Sequence, residues 1–75
     1  MKRYLLVTVK MSHDYLAFFP DVPGCQGKGE TARKAKAVAV ADLKRTLKDL
    51  TDDNLPLPEP TARVGYVEVN EGSDG

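Results

Sequence analysis

The alternation of apolar and polar residues changes period along the chain, and each change marks an element. Arg3 to Val9 (RYLLVTV) is rich in β-branched and aromatic residues, the composition of a strand. Leu5, Val7 and Val9 alternate with Tyr4, Leu6 and Thr8, so both faces are largely apolar and the strand belongs inside a sheet. Met11 to Asp14 is a polar connection, and Tyr15 to Phe19 (YLAFF) reads as a second strand. Pro20 ends it, because proline lacks the N–H that a central ladder requires. A third, short strand is expected around Cys25 to Lys28, giving an antiparallel meander. The period then lengthens. No Gly or Pro occurs from Ala32 to Leu50, and at about 100° per residue Ala32, Ala35, Ala39, Leu43, Thr46, Leu47 and Leu50 fall on one helical face. Thr31 suits the N-cap and Glu30 the positive helix end. The apolar face grades from small residues to large ones, so the first half of the helix can approach a sheet closely. The opposite face carries Arg33, Lys34, Lys44, Arg45 and Lys48, separated by Ala37 and Ala41. Asp52, Asp53 and Asn54 close the helix, and Leu55 to Pro60 (LPLPEP) forms a stiff extended exit, since each proline disfavours helix before it. Arg63 to Val69 (RVGYVEV) reads as a last strand, and residues 70–75 as a disordered tail.

The predicted order is therefore β-β-β-α-β: an α+β domain over residues 1–69, with one helix packed on one face of a four-stranded sheet. The other face of that sheet has no cover in the same chain, and an apolar patch of that size is unusual on a monomer. A chain of 75 residues also buries only roughly 60% of its unfolded surface, and small domains often add a disulfide, a metal or a second subunit. Cys25 is the only cysteine, which excludes an internal disulfide, and with a single histidine it cannot complete a four-ligand zinc set. A homodimer is the expected support.

Charge narrows the function classes. Lys plus Arg and Asp plus Glu both number 11, so the formal net charge is zero, which argues against binding nucleic acid through overall positive charge. No apolar run reaches membrane-spanning length, and MKRYLLVTVK reads as a strand and not a signal peptide; a cytoplasmic location is expected. A cysteine nucleophile wants a base and a thiolate-stabilising environment, yet His13 sits in the first connection, a solvated position, while Cys25 reads as a small half-buried residue at a strand edge. Two-metal nuclease chemistry needs clustered carboxylates. RYLLVTV has none, and Asp21, Asp42, Asp52 and Asp53 lie in a turn, on the helix and at its end, where they are not expected to converge. No enzyme activity, cofactor or metal is expected.

The segment between the second strand and the helix, FPDVPGCQGKGET (Phe19 to Thr31), carries more specific information. Together with the long helix, LPLPEP and the closing RVGYVEV, it resembles the HicB-like antitoxin family, whose members carry an aspartate-x-Pro-Gly-Cys turn, a Gly-x-Thr helix start, a proline-rich exit and a final Val/Tyr-rich strand. Asp21, Pro23, Gly24, Cys25, Gly29, Thr31, Ala35, Ala39, Pro56 and Pro58 stand where that pattern expects them, and the likeness runs from Lys2 to Val69. The resemblance implies a partial RNase H-like fold, strand order 3-2-1-4, with the last strand parallel to the first. It implies a non-catalytic protein that binds a small HicA-type mRNA-cleaving toxin and masks its catalytic histidine. Two features depart from the pattern. Arg33 and Lys34 stand where many members carry a Glu pair, with Val38 in place of a common asparagine, and nothing after Val69 corresponds to the C-terminal DNA-binding module of many members, so DNA binding is not expected. Two alternatives stay open: a nucleic-acid-binding protein that contacts RNA through Arg33, Lys34, Lys44, Arg45 and Lys48, and an orphan scaffold without a toxin.

Overall fold

The computed structural model describes residues 1–72 and contains β1 (Val7–Lys10), β2 (Tyr15–Phe18), β3 (Gln26–Gly29) and α1 (Ala32–Asp52). It is an α+β arrangement: a three-stranded antiparallel sheet in the order β1-β2-β3, with α1 on one face. The β1–β2 hairpin closes through the Met11 N–H, which donates to the Asp14 carbonyl at 2.8 Å.

Register explains which side chains meet the helix. Thr8, Ala17 and Gly27 form one row across the sheet, and Lys10, Tyr15 and Gly29 the next. Ala17 is fully buried, so these rows lie under α1. Small residues make close packing possible there. A Cβ placed on Gly27 would collide with the Ala39 backbone nitrogen and lie 2.6 Å from the Ala35 oxygen. The core sets the small Ala17, Cys25, Ala35 and Ala39 with Val22 and Phe19, flanked by the half-buried Tyr4, Leu6, Tyr15, Val40 and Leu43.

Both helix ends are capped by local chemistry. The Thr31 hydroxyl accepts the Lys34 N–H at 3.1 Å, satisfying one donor of the first turn. At the other end Asn54 adopts φ 57°. Its N–H donates to the Thr51 carbonyl at 3.1 Å, and the Leu55 N–H to the Leu50 carbonyl at 2.8 Å. That is the paired bonding of a Schellman stop, with asparagine in the left-handed position usually held by glycine.

Element boundaries move little from those predicted, with two exceptions. Arg3 to Leu6 falls outside the ladder, because the β1–β2 register places Leu6 and Leu5 opposite Phe19 and Pro20. Pro20 offers no N–H, and the chain already turns there, with the Val22 N–H bonded to the Phe19 carbonyl at 3.0 Å. The larger difference concerns the fourth strand. Arg63 to Val69 pairs with no strand among the described residues, and the sheet has three strands, all antiparallel. Val64, Tyr66, Val67 and Val69 are 66%, 92%, 88% and 78% exposed, so this segment is an arm that stands off the body. Of the tail expected over residues 70–75, positions 73–75 lie outside the described residues.

Candidate functional site

The turn that follows β2 is built by its prolines and one glycine. Val22, Pro23, Gly24 and Cys25 form a β-turn closed by the Cys25 N–H, which donates to the Val22 carbonyl at 3.1 Å. Pro23 supplies the fixed φ of the second position, and Gly24, at φ 96°, takes the third. Positive φ there defines a type II turn and selects glycine. The turn inserts Val22 and Cys25 into the core. The Cys25 thiol lies 3.3 Å from the Thr46 hydroxyl and is buried. Its role is to dock β3 against the second half of α1, assisted by Asp42, whose carboxylate accepts the Gln26 N–H at 3.3 Å and pairs with Arg45.

Asp21 has a function that the sequence pattern did not disclose. Its carboxylate accepts the Ala62 N–H at 2.9 Å and the Thr61 hydroxyl at 3.1 Å. The Tyr4 hydroxyl donates to the Pro58 carbonyl at 2.7 Å, and Lys2 pairs with Glu59 at 3.0 Å. Together these contacts strap Pro58 to Ala62 across the N-terminal end of β1. The proline spacing of LPLPEP signals an extended exit, but its partners are 40 to 57 residues away in sequence and carry no local signature.

Of the exposed apolar surfaces, two lie next to unpaired backbone. One is the exposed arm. The other is the sheet face turned away from α1, where the cross-strand pairs Val7–Phe18 and Val9–Leu16 lie side by side. The outer edge of β1 is unpaired, because β1 ends the sheet. Edge and arm each carry backbone N–H donors and C=O acceptors that have no ladder partner among the described residues, which is the usual starting point for strand addition.

The basic helix residues do not act as one patch. Lys34 pairs with Glu30 at 3.6 Å, Arg45 with Asp42, and Lys48 with Asp52 at 2.8 Å. Arg33 and Lys44 remain unpaired among the described residues and, with Lys36, border a shallow groove floored by Ala37, Val40 and Ala41. Lys36 was not singled out by the sequence reading; its spacing of three from Arg33 is the signal that could have found it. Among the described residues no group of three or more His, Cys, Asp or Glu side chains is placed to hold a metal ion. His13 is exposed, in the β1–β2 connection. No helix among the described residues is long and apolar enough to cross a membrane. Compared with protein-family models, curated proteins and solved structures, the chain matches none.

Proposed function

We propose that this chain is a non-catalytic, cytoplasmic protein-binding module of HicB-like antitoxin type, whose partner is a small HicA-type mRNA-cleaving toxin. The observation that carries the reading is the apolar arm, Val64 to Val69, exposed beside an unpaired sheet edge. A surface of that kind on so small a chain is built to be covered by protein. The turn at Gly24 and the cap at Thr31 are formed as the resemblance requires, which supports it. The finer fold belongs to the same reading: the arm becomes a fourth strand beside β1 and parallel to it, completing the order 3-2-1-4 of a partial RNase H-like sheet.

The test is co-expression with the product of an adjacent short reading frame that encodes a basic, histidine-containing protein. The expected result is co-purification in fixed proportion and loss of that protein's mRNA cleavage. Unchanged cleavage with no complex overturns the assignment.

A second reading draws on the groove between Arg33, Lys36 and Lys44, which form no ion pair among the described residues. It makes the module an RNA-contacting protein. Fluorescence anisotropy with labelled single-stranded and duplex RNA distinguishes the two: binding that falls steeply with salt, and falls again in Arg33→Ala and Lys44→Ala, favours RNA.

A further inference from the structure

The exposed face of α1 is more apolar than a solvated helix surface requires. From Ala35 to Ala41 the only polar residue is Lys36. Ala35 and Ala39 of this run are buried, whereas Ala37, Val38 and Ala41 are exposed, Val38 at 50%. A helix that is apolar all round is expected to be covered all round. Helix stability does not account for Val38 either, because a β-branched side chain loses rotamer freedom in a helix and ranks below alanine. The groove beside Ala37 and Ala41 has the same character: Ala37, Val40 and Ala41 form its floor, and Arg33, Lys36 and Lys44 its rim. Among the described residues no carboxylate borders it. Glu30, Asp42 and Asp52 pair with Lys34, Arg45 and Lys48 instead, so the rim keeps its positive charge.

We infer that this face of α1 docks an acidic amphipathic helix of a partner protein. Arg33, Lys36, Ala37, Val40, Ala41 and Lys44 follow the spacing i, i+3, i+4, i+7, i+8, i+11, a single stripe along the helix. In antiparallel packing, where the two macrodipoles oppose, the complementary helix presents carboxylates at i, i+8 and i+11 and large apolar side chains at i+3, i+4 and i+7. Its carboxylates then meet Lys44, Lys36 and Arg33 in turn. Its apolar residues lie over the floor, where the alanines let a second backbone approach closely. Three other occupants fit less well. Charge opposes a second copy, because two α1 helices set antiparallel across this groove place Arg33 against Lys44 twice. RNA would meet the three cations, but the floor offers it neither a ring to stack on nor a donor to read a base. An anionic membrane calls for bulky side chains such as Trp, Phe or Leu on the face it meets, in place of alanine and valine. The inference does not depend on the toxin reading, which rests on the arm and the edge of β1.

The probe is a fluorescein-labelled helical peptide with glutamate at i, i+8 and i+11, leucine at i+3, i+4 and i+7, and alanine and glutamine elsewhere. It is titrated with the full-length protein by anisotropy. Three comparisons run beside it: the same peptide with its leucines replaced by serine, a labelled single-stranded RNA, and vesicles of phosphatidylcholine with phosphatidylserine. Saturable binding of one peptide per chain, tighter than any of the three comparisons, is the expected result. Lys36→Glu should weaken it roughly fivefold, since an attraction becomes a repulsion, and a peptide carrying lysine at i+8 should recover the loss on that variant. A purely structural role for Lys36 would not be rescued in this way. Ala41→Glu, an exposed substitution by a good helix former, should weaken binding more strongly by filling the floor with a like charge. Circular dichroism checks that both variants keep the helix. Equal binding of the serine peptide reduces the groove to a patch of charge and overturns the proposal. Tighter binding of RNA or of vesicles assigns the face to that ligand and overturns it equally, as does a peptide that fails to bind or that ignores Ala41→Glu.

Discussion

At the scale of single residues, the structure separates two reasons for keeping a side chain small. Gly24 is needed for its backbone: at φ 96° a Cβ would meet nothing within 4 Å, so Gly24→Val is strained only by the conformation and should cost about 1–3 kcal/mol in denaturant unfolding. Gly27 is needed for space, because its Cβ would press into the backbone of α1. Gly27→Ala should therefore exceed Gly24→Val, and a neutral Gly27→Ala in the same assay would show that the helix does not sit where described. Thr31→Ala removes one cap bond and should cost about 1 kcal/mol. The carboxylates are similarly committed. Asp21 holds Thr61 and Ala62, Asp42 holds Gln26 and Arg45, and Asp52 pairs with Lys48. Purified protein is expected to cleave neither RNA, DNA nor hybrid with Mg²⁺ or Mn²⁺; chelator-sensitive cleavage that co-purifies with the protein would contradict this.

At the scale of elements, legibility followed the range of the forces involved. The helix could be read because its face, cap and stop all lie within its own sequence: Ala35 and Ala39 are buried, Thr31 caps, and Asn54 stops the chain in the left-handed region. The hairpin strands were readable from β-branched and aromatic runs bounded by Pro20 and the glycines. The fourth strand is the expectation that the three-stranded sheet of the described residues does not contain. RVGYVEV has the alternation of a strand, but alternation specifies only that a segment can pair, not with which edge or in which chain. The Asp21 strap was missed for a related reason, since aspartate in a Pro-Gly turn is already explained locally. Asp21→Ala should leave the turn largely intact while freeing Thr61 and Ala62. The expected result is a gain in hydrogen exchange at the Ala62 amide, with little change at Cys25; equal gains at both would mean that Asp21 acts on the turn itself.

At the scale of the whole molecule, a core without any large, fully buried side chain has to be weighed against the surface left open. Ala17, Ala35 and Ala39 allow close approach but contribute little apolar area each, since burial stabilises by about 25 cal/mol per Å². Four further apolar residues, Val64, Tyr66, Val67 and Val69, stand exposed on the arm, where a single copy gains little from them. Stability should then come substantially from association, and association obeys mass action. In urea unfolding followed by circular dichroism, the midpoint should rise with protein concentration, each tenfold increase adding about 1.4 kcal/mol per mole of dimer. Tyr66→Ala, which touches nothing within a single copy's core, should lower that midpoint at a fixed concentration. If instead the midpoint is independent of concentration over two decades and Tyr66→Ala is neutral, the isolated fold is self-sufficient and the arm serves another partner. The two outcomes divide cleanly because Tyr66, 92% exposed in one copy, can affect stability only through a second chain or by folding back onto its own.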